Sequence, residues 1–122
     1  MPVKIKDFRA NCRTYGDRLT EAWANTRNSP IVVHRQIGTD GELYGDFILS
    51  HRVSGLTIRS WRYSYKKRSE ALKAAARIER FPEWKRVGRA PGPELKPLGW
   101  SKRLEKTLGN KVGRALSPET PL

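Results

Sequence analysis

The sequence predicts an α+β fold: a two-layer α-β-β-β-α domain with a three-stranded antiparallel sheet and an extended basic C-terminal arm. Three observations predict it. Apolar residues recur at helical spacing before residue 28 and again after residue 69; three β-rich runs separated by turn signals lie between; and Pro and Gly crowd together from Gly88 onward. The expected organisation is a core domain over 1–87, a Pro/Gly-rich linker over 88–100, and a basic arm with a marginal helix over 101–122. At 122 residues one domain is expected, with a modest core.

The first element is expected to be a helix over 6–28. Phe8, Cys12, Tyr15, Leu19 and Trp23 follow one another at steps of four, three, four and four, which forms one apolar stripe. Asp7 suits its first turn and Arg27 its last. Pro30 disfavours helix at Ser29 and ends it. IVVHRQI (31–37) is a β-branched strand, and the Asp-Gly in TDGE (39–42) signals a hairpin into LYGDFILSHRV (43–53). Ser54-Gly55 is a second turn, leading to a third strand, LTIRSWRYSY (56–65). On that strand Leu56 and Ile58 have one alternation phase, and Trp61, Tyr63 and Tyr65 the other. A bulge near Ser60 would unite them on one face. SEALKAAARIERF (69–81) is the second helix, with Ser69 as cap, Glu70 in the first turn, and Ala71, Leu72, Ala75 and Ile78 as the apolar stripe; Pro82 stops it. RAPGPELKPLG reads as an extended linker. In SKRLEKTLGNKVGRAL, Leu104, Leu108, Val112 and Leu116 recur every four residues, Ser101 can cap, and Gly109 and Gly113 weaken the helix.

Charge is the strongest global signal. Twenty-five Lys and Arg stand against 12 Asp and Glu, a net charge of +13. So basic a chain is attracted to polyanions, because each phosphate it neutralises releases condensed counterions. The charge is uneven: residues 31–50 carry −2 and residues 51–80 carry +7. A single cysteine, Cys12, excludes an internal disulfide and a CxxC zinc site; it sits in the apolar stripe and reads as core. No apolar run approaches membrane-span length and no signal-peptide core is visible at the N-terminus, so the expected setting is cytoplasmic, without a membrane partner. Phosphate-binding Gly-rich loops are absent, and no cofactor or metal is expected.

The residues expected to meet nucleic acid concentrate between 59 and 80. Arg59, Arg62, Lys66, Lys67, Arg68, Lys73 and Arg77 are the expected phosphate contacts. Trp61 or Tyr63 is the candidate stacking residue, by analogy with sheets that stack bases on aromatic rings. Lys73, Arg77 and Arg80 share a helix face. Lys102, Arg103 and Lys106, with Lys111 and Arg114, are auxiliary contacts from the arm. His34 and His51, each followed by Arg on adjacent strands, raise an acid/base ribonuclease site as an alternative, although no carboxylate or Ser/Cys pairing accompanies them.

Three local patterns resemble known families. The α-β-β-β-α order with Lys66-Lys67 and Ala74-Ala75-Ala76 resembles the double-stranded-RNA-binding domain, which implies lysines on phosphates at the start of the last helix. YSYKKRSEALKAAARIE is similar to the final strand and helix of the arm-type DNA-binding domains of tyrosine recombinases. VKIKDFRANCRTYGDRL, PIVVHRQ and FILS are similar to the N-terminal part of Phd/YefM-type antitoxins, which implies operator binding. What the three share is nucleic acid. The expected function is therefore a small non-enzymatic protein that binds DNA or RNA mainly through the backbone, in a regulatory or mobile-element setting. The alternatives are a protein-interaction factor, either a phage- or plasmid-encoded inhibitor that clamps an acidic protein or a subunit of a large nucleoprotein complex, and a ribonuclease toxin.

Overall fold

A computed structural model of the protein describes residues 2–12, 16–37, 42–58, 64–89 and 97–116. It is an α+β fold in which four strands precede two helices: β1 (Val3–Cys12), β2 (Gly16–Ala24), β3 (Ile31–Ile37), β4 (Leu43–His51), α1 (Arg68–Ile78) and α2 (Lys102–Leu116), with a 3-10 turn over Pro82–Arg86 between the helices. The sheet is antiparallel throughout, in the order β1-β2-β3-β4.

The first helix of the sequence reading does not exist. Val3–Cys12 and Gly16–Ala24 pair as antiparallel strands, from Val3 opposite Ala24 to Cys12 opposite Gly16. The ladder slips between Ile5 and Phe8, where Lys6 and Asp7 both face solvent. One extra residue there sets Ile5, Phe8 and Ala10 on the same inward side, the side on which Thr20, Ala22 and Ala24 of β2 are buried. The expected three-stranded sheet is thus four-stranded, and the leading helix behind the resemblance to the double-stranded-RNA-binding domain is a pair of strands. The Cys12 side chain and Tyr15 lie outside the described residues.

β3 and β4 form where the sequence placed them. They pair from Ile31 opposite His51 to Ile37 opposite Leu43, with a slip between Arg35 and Gln36. Gly45, at φ +62°, sits in this slip and holds a left-handed conformation that a side chain would strain. Of the third strand expected over 56–65, the described residues show two isolated pairings with β4: Ser50 faces Thr57 and Phe47 faces Tyr65. Three steps along β4 therefore correspond to eight along the returning chain, whereas an unbroken strand would keep the two equal. Alternation cannot be carried across such a jump. Residues 59–63, with the bulge expected near Ser60, lie outside the described residues.

The sheet is apolar on both faces. On one, Ile31, Val33, Leu49 and Ile58 meet α1 and α2 in the main core. α1 lies against β2, β3 and β4. Its buried face is mostly alanine (Ala71, Ala74 and Ala75, with Leu72 and Ile78), which brings the helix backbone close to β-branched residues. Asn25, just beyond β2, donates its amide to the Leu72 carbonyl at 2.8 Å and to Glu79 Oε1 at 3.0 Å, pinning the helix to the sheet end. α1 begins one residue earlier than expected. Lys67 occupies the cap position without a side-chain bond, and Ser69 lies inside the helix. Pro82 opens the 3-10 turn, as its fixed φ and missing N–H favour, and the Trp84 indole donates to the Ile78 carbonyl at 2.8 Å, satisfying one of the helix's terminal acceptors.

The opposite face buries Phe8, Ala10, Ala22, Ala24 and Val32. The Phe8 ring reaches within 5.3 Å of the His34 ring, two strands away, so the β1–β2 ribbon coils strongly toward β3.

α2 forms within the segment read as an arm. Ser101 Oγ accepts from the Leu104 amide at 3.1 Å, the cap the sequence predicts. Leu104, Leu108, Val112 and Leu116 are buried in the same core as α1 and the sheet. The chain reaching α2 is clipped to the end of the 3-10 turn: the Gly88 amide donates to the Leu98 carbonyl at 2.7 Å and the Leu98 amide to the Arg89 carbonyl at 3.3 Å. Among the described residues no helix is long and apolar enough to cross a membrane.

Candidate nucleic-acid interface

Charge divides along the fold. The described strand half, residues 2–58, holds seven Lys and Arg against five Asp and Glu; the described helical half, residues 64–116, holds fourteen against four, a net +10. Alternating strand positions are largely consumed by the two buried faces, whereas each helix buries one stripe and leaves the rest to polar residues.

Lys66 and Lys67 are exposed just before α1, Lys73 and Arg77 are exposed on its outward side, and Arg80 is exposed in the turn that follows it. Lys102, Arg103 and Lys106 are exposed on the first two turns of α2, which packs against α1. None of Lys66, Lys67, Lys73, Arg77, Arg80, Lys102 or Lys106 makes an ion pair with a described residue. The acids that might balance them are partly occupied: Glu79 binds Asn25 and Glu83 binds Lys111.

Other cations have structural partners. The Arg68 guanidinium lies 4.5 Å from the Trp23 ring centroid, and Arg35 lies 5.2 Å from that of Phe47. Arg68 remains exposed, so this contact orients it rather than hiding it. Arg52 donates to the Arg27 carbonyl. Lys111 reaches both carboxylate oxygens of Glu83 at 2.8 Å and lies 5.4 Å from the Phe81 ring. That hydrogen-bonded ammonium holds the Glu83 carboxyl below its ordinary range. Lys111 is thus a tie between α2 and the 3-10 turn. Arg59, Trp61, Arg62 and Tyr63 lie outside the described residues.

Sequence reasoning passed over the cations of the 3-10 turn. Lys85 and Arg86 are exposed there. A cleft of about 150 Å³ opens beside them, lined by Glu83, Arg86, Ser101, Arg103, Leu104 and Thr107. Arg86 comes from the turn and Arg103 from α2, so two elements remote in sequence place cations together. PEWKR carries the signal, two cations after a proline, but only the return of α2 brings Arg103 to them.

The histidines do not form a pair. His34 faces Ile48 across the β3–β4 ladder and His51 faces Ile31, an odd offset that sets the two rings on opposite faces of the sheet. Both are buried, at 1% and 2% exposure. His34 donates from Nδ1 to the Arg35 carbonyl and accepts at Nε2 from Ser50 Oγ, both at 2.7 Å. Burial pushes its pKa down to about 4, with the Arg35 carbonyl opposing weakly. His51 accepts at Nδ1 from Ser54 and stacks on Trp84 at 5.1 Å. Burial lowers its pKa likewise to about 4, against a smaller effect of the Trp84 backbone. Its Nε2 makes no hydrogen bond of ordinary geometry. The VHR and SHR pattern therefore reflects two buried neutral rings. Among the described residues no group of three His, Cys, Asp or Glu could hold a metal ion.

No protein-family model matches the chain, and neither a curated protein nor a solved structure is detectably similar to it.

Proposed function

We propose that the protein binds nucleic acid without catalysis, through the phosphate backbone, using the helical half of the fold. The observation that carries this reading is the segregation of charge: +10 on the described residues 64–116, with seven exposed cations that have no ion-pair partner there. A solvated helix face ordinarily mixes charge signs and satisfies some cations by pairs three or four residues apart. Here Lys73 and Arg77 run along one side of α1 with no such acid for Arg77, and Arg80 follows just past the helix end, where the Glu83 three residues on is held by Lys111. The mutual repulsion they impose is relieved when phosphates approach. Lys66, Lys67, Arg68, Lys73 and Arg77 are the principal contacts, and Lys102, Arg103 and Lys106 the auxiliary ones.

The test is a mobility-shift titration with mixed-sequence DNA and RNA from 50 to 200 mM salt, with poly-glutamate as competitor. We expect binding at low salt, with log Kobs falling by about 0.7–0.9 per phosphate contact on a log-salt axis, and poor competition by poly-glutamate. Absence of any complex at 50 mM salt overturns the reading. Poly-glutamate competing charge for charge replaces it with an acidic-protein partner.

A further inference from the structure

The structure assigns this surface, on the reading just proposed, to the backbone of a double helix rather than to a single strand. Single-strand binders combine cations with exposed aromatic rings on which bases stack. The aromatic side chains described here are turned to the interior. Phe8 and Trp84 are buried, and Trp23, Phe47, Tyr65, Phe81 and Trp100 are half-buried and packed against the main core. The large apolar residues that are exposed (Leu19, Leu43, Val53 and Leu98) are aliphatic and scattered over separate elements. The unpaired cations stand instead on a rigid support. Lys73 and Arg77 ride a helix whose other side is fixed to the sheet by Ala71, Ala74, Ala75 and Ile78, and Arg80 stands two residues past its end.

Rigid cations suit a rigid array of phosphates, because neither side loses conformational freedom on contact. Lys73 to Arg77 spans about 6 Å of helix axis at 1.5 Å per residue, with Lys66 and Lys67 just before the helix and Arg80 just after it. The width of the support decides how it sits. Two packed helices, each about 10 Å across with axes 8–10 Å apart, make a slab about 20 Å wide, too broad for a major groove about 12 Å wide. The slab therefore lies across phosphate ridges instead of entering the groove, and binding is nearly independent of sequence.

The experiment measures anisotropy of the full chain with labelled 24-mers: duplex DNA, duplex RNA, and the single strands of each, at 100 mM salt. A duplex preference of about tenfold or more over its own strands supports the assignment, and the ratio of the two duplex arms names the preferred source. Single strands binding as tightly as duplex overturn it while leaving the proposed function standing; stacking on Trp61 or Tyr63 predicts that order. No binding by any 24-mer overturns both. The variant Lys73→Glu/Arg77→Glu/Arg80→Glu, checked for folding by its thermal midpoint, should reduce the salt slope for duplex by about three, one per cation, whereas Lys6→Glu at the sheet edge should leave it within one. An unchanged slope in a folded triple variant removes α1 from the interface.

Discussion

At the scale of single residues, two glycines in the C-terminal part have opposite roles. Gly99 has φ +79°, and a Cβ built on it would lie 1.9 Å from the Arg86 carbonyl oxygen, a backbone atom that cannot step aside. Gly109 is in the middle of α2 with nothing within 4 Å of where a Cβ would stand. Gly99→Ala should therefore lower stability by more than about 1 kcal/mol, the scale of a left-handed residue plus a clash. Gly109→Ala should raise it by up to about 1 kcal/mol, the helix-propensity difference. Urea midpoints of the two variants check both signs, and a neutral Gly99→Ala would show that the chain does not return against the 3-10 turn. Sequence alone treats these glycines alike, as a linker glycine and a helix weakener.

The histidines set a pH dependence at the same scale. Each ring is held neutral in the fold, with its pKa lowered from 6.5 to about 4, so between those values the unfolded chain binds more protons. Stability then rises with pH across that window and is lost as pH falls through it, by about 1.4 kcal/mol per pH unit for each histidine that stays neutral. Urea midpoints should be level from pH 8 to 7 and fall steadily from 6.5 to 4.5. A flat profile over that range would mean that the rings are hydrated.

At the scale of elements, the apolar steps of the first 24 residues show how a strand pair can imitate a helix. A step of four is shared by both periodicities: it keeps a residue on the same helical stripe and on the same strand face. Phe8 to Cys12, Tyr15 to Leu19 and Leu19 to Trp23 are all steps of four, so they decide nothing. The one step of three, Cys12 to Tyr15, spans the gap between β1 and β2, where the apparent helical signature is a change of strand. Alanines at 22 and 24, good helix formers, are buried on the same sheet face as Phe8; tertiary packing overrides propensity there. α1 was legible because its stripe combines steps of one, three and four, which only a helix satisfies. For α2, whose stripe is made only of steps of four, the Ser101 cap supported the helix, but its docking was not legible, since the same Leu104, Leu108, Val112 and Leu116 stripe serves a helix waiting for a partner equally well. Leu108, 3% exposed in the core, separates the cases. Leu108→Ala should cost about 2–5 kcal/mol of global stability, where a detached arm would lose almost nothing; equilibrium unfolding followed by tryptophan fluorescence reads the difference.

At the scale of the whole molecule, the sequence by itself determined the α+β class, the β3–β4 hairpin, the two C-terminal helices and the excess of positive charge, because each rests on local chemistry: turn residues, periodicity within one element, and a count of ionisable groups. The tertiary structure decided the rest. It decided that Val3–Cys12 and Gly16–Ala24 are strands, since one bulge shifts the alternation phase and only the pairing partner shows it. It separated His34 from His51, since the parity of a register places a side chain on one sheet face or the other. It turned Lys111 and Arg68 toward partners while leaving Lys73, Arg77 and Arg80 in solvent. And it docked α2 on α1, so that the basic segments the sequence shows at 64–89 and 97–116 come together in one half of the fold, a contact between elements that no local pattern encodes.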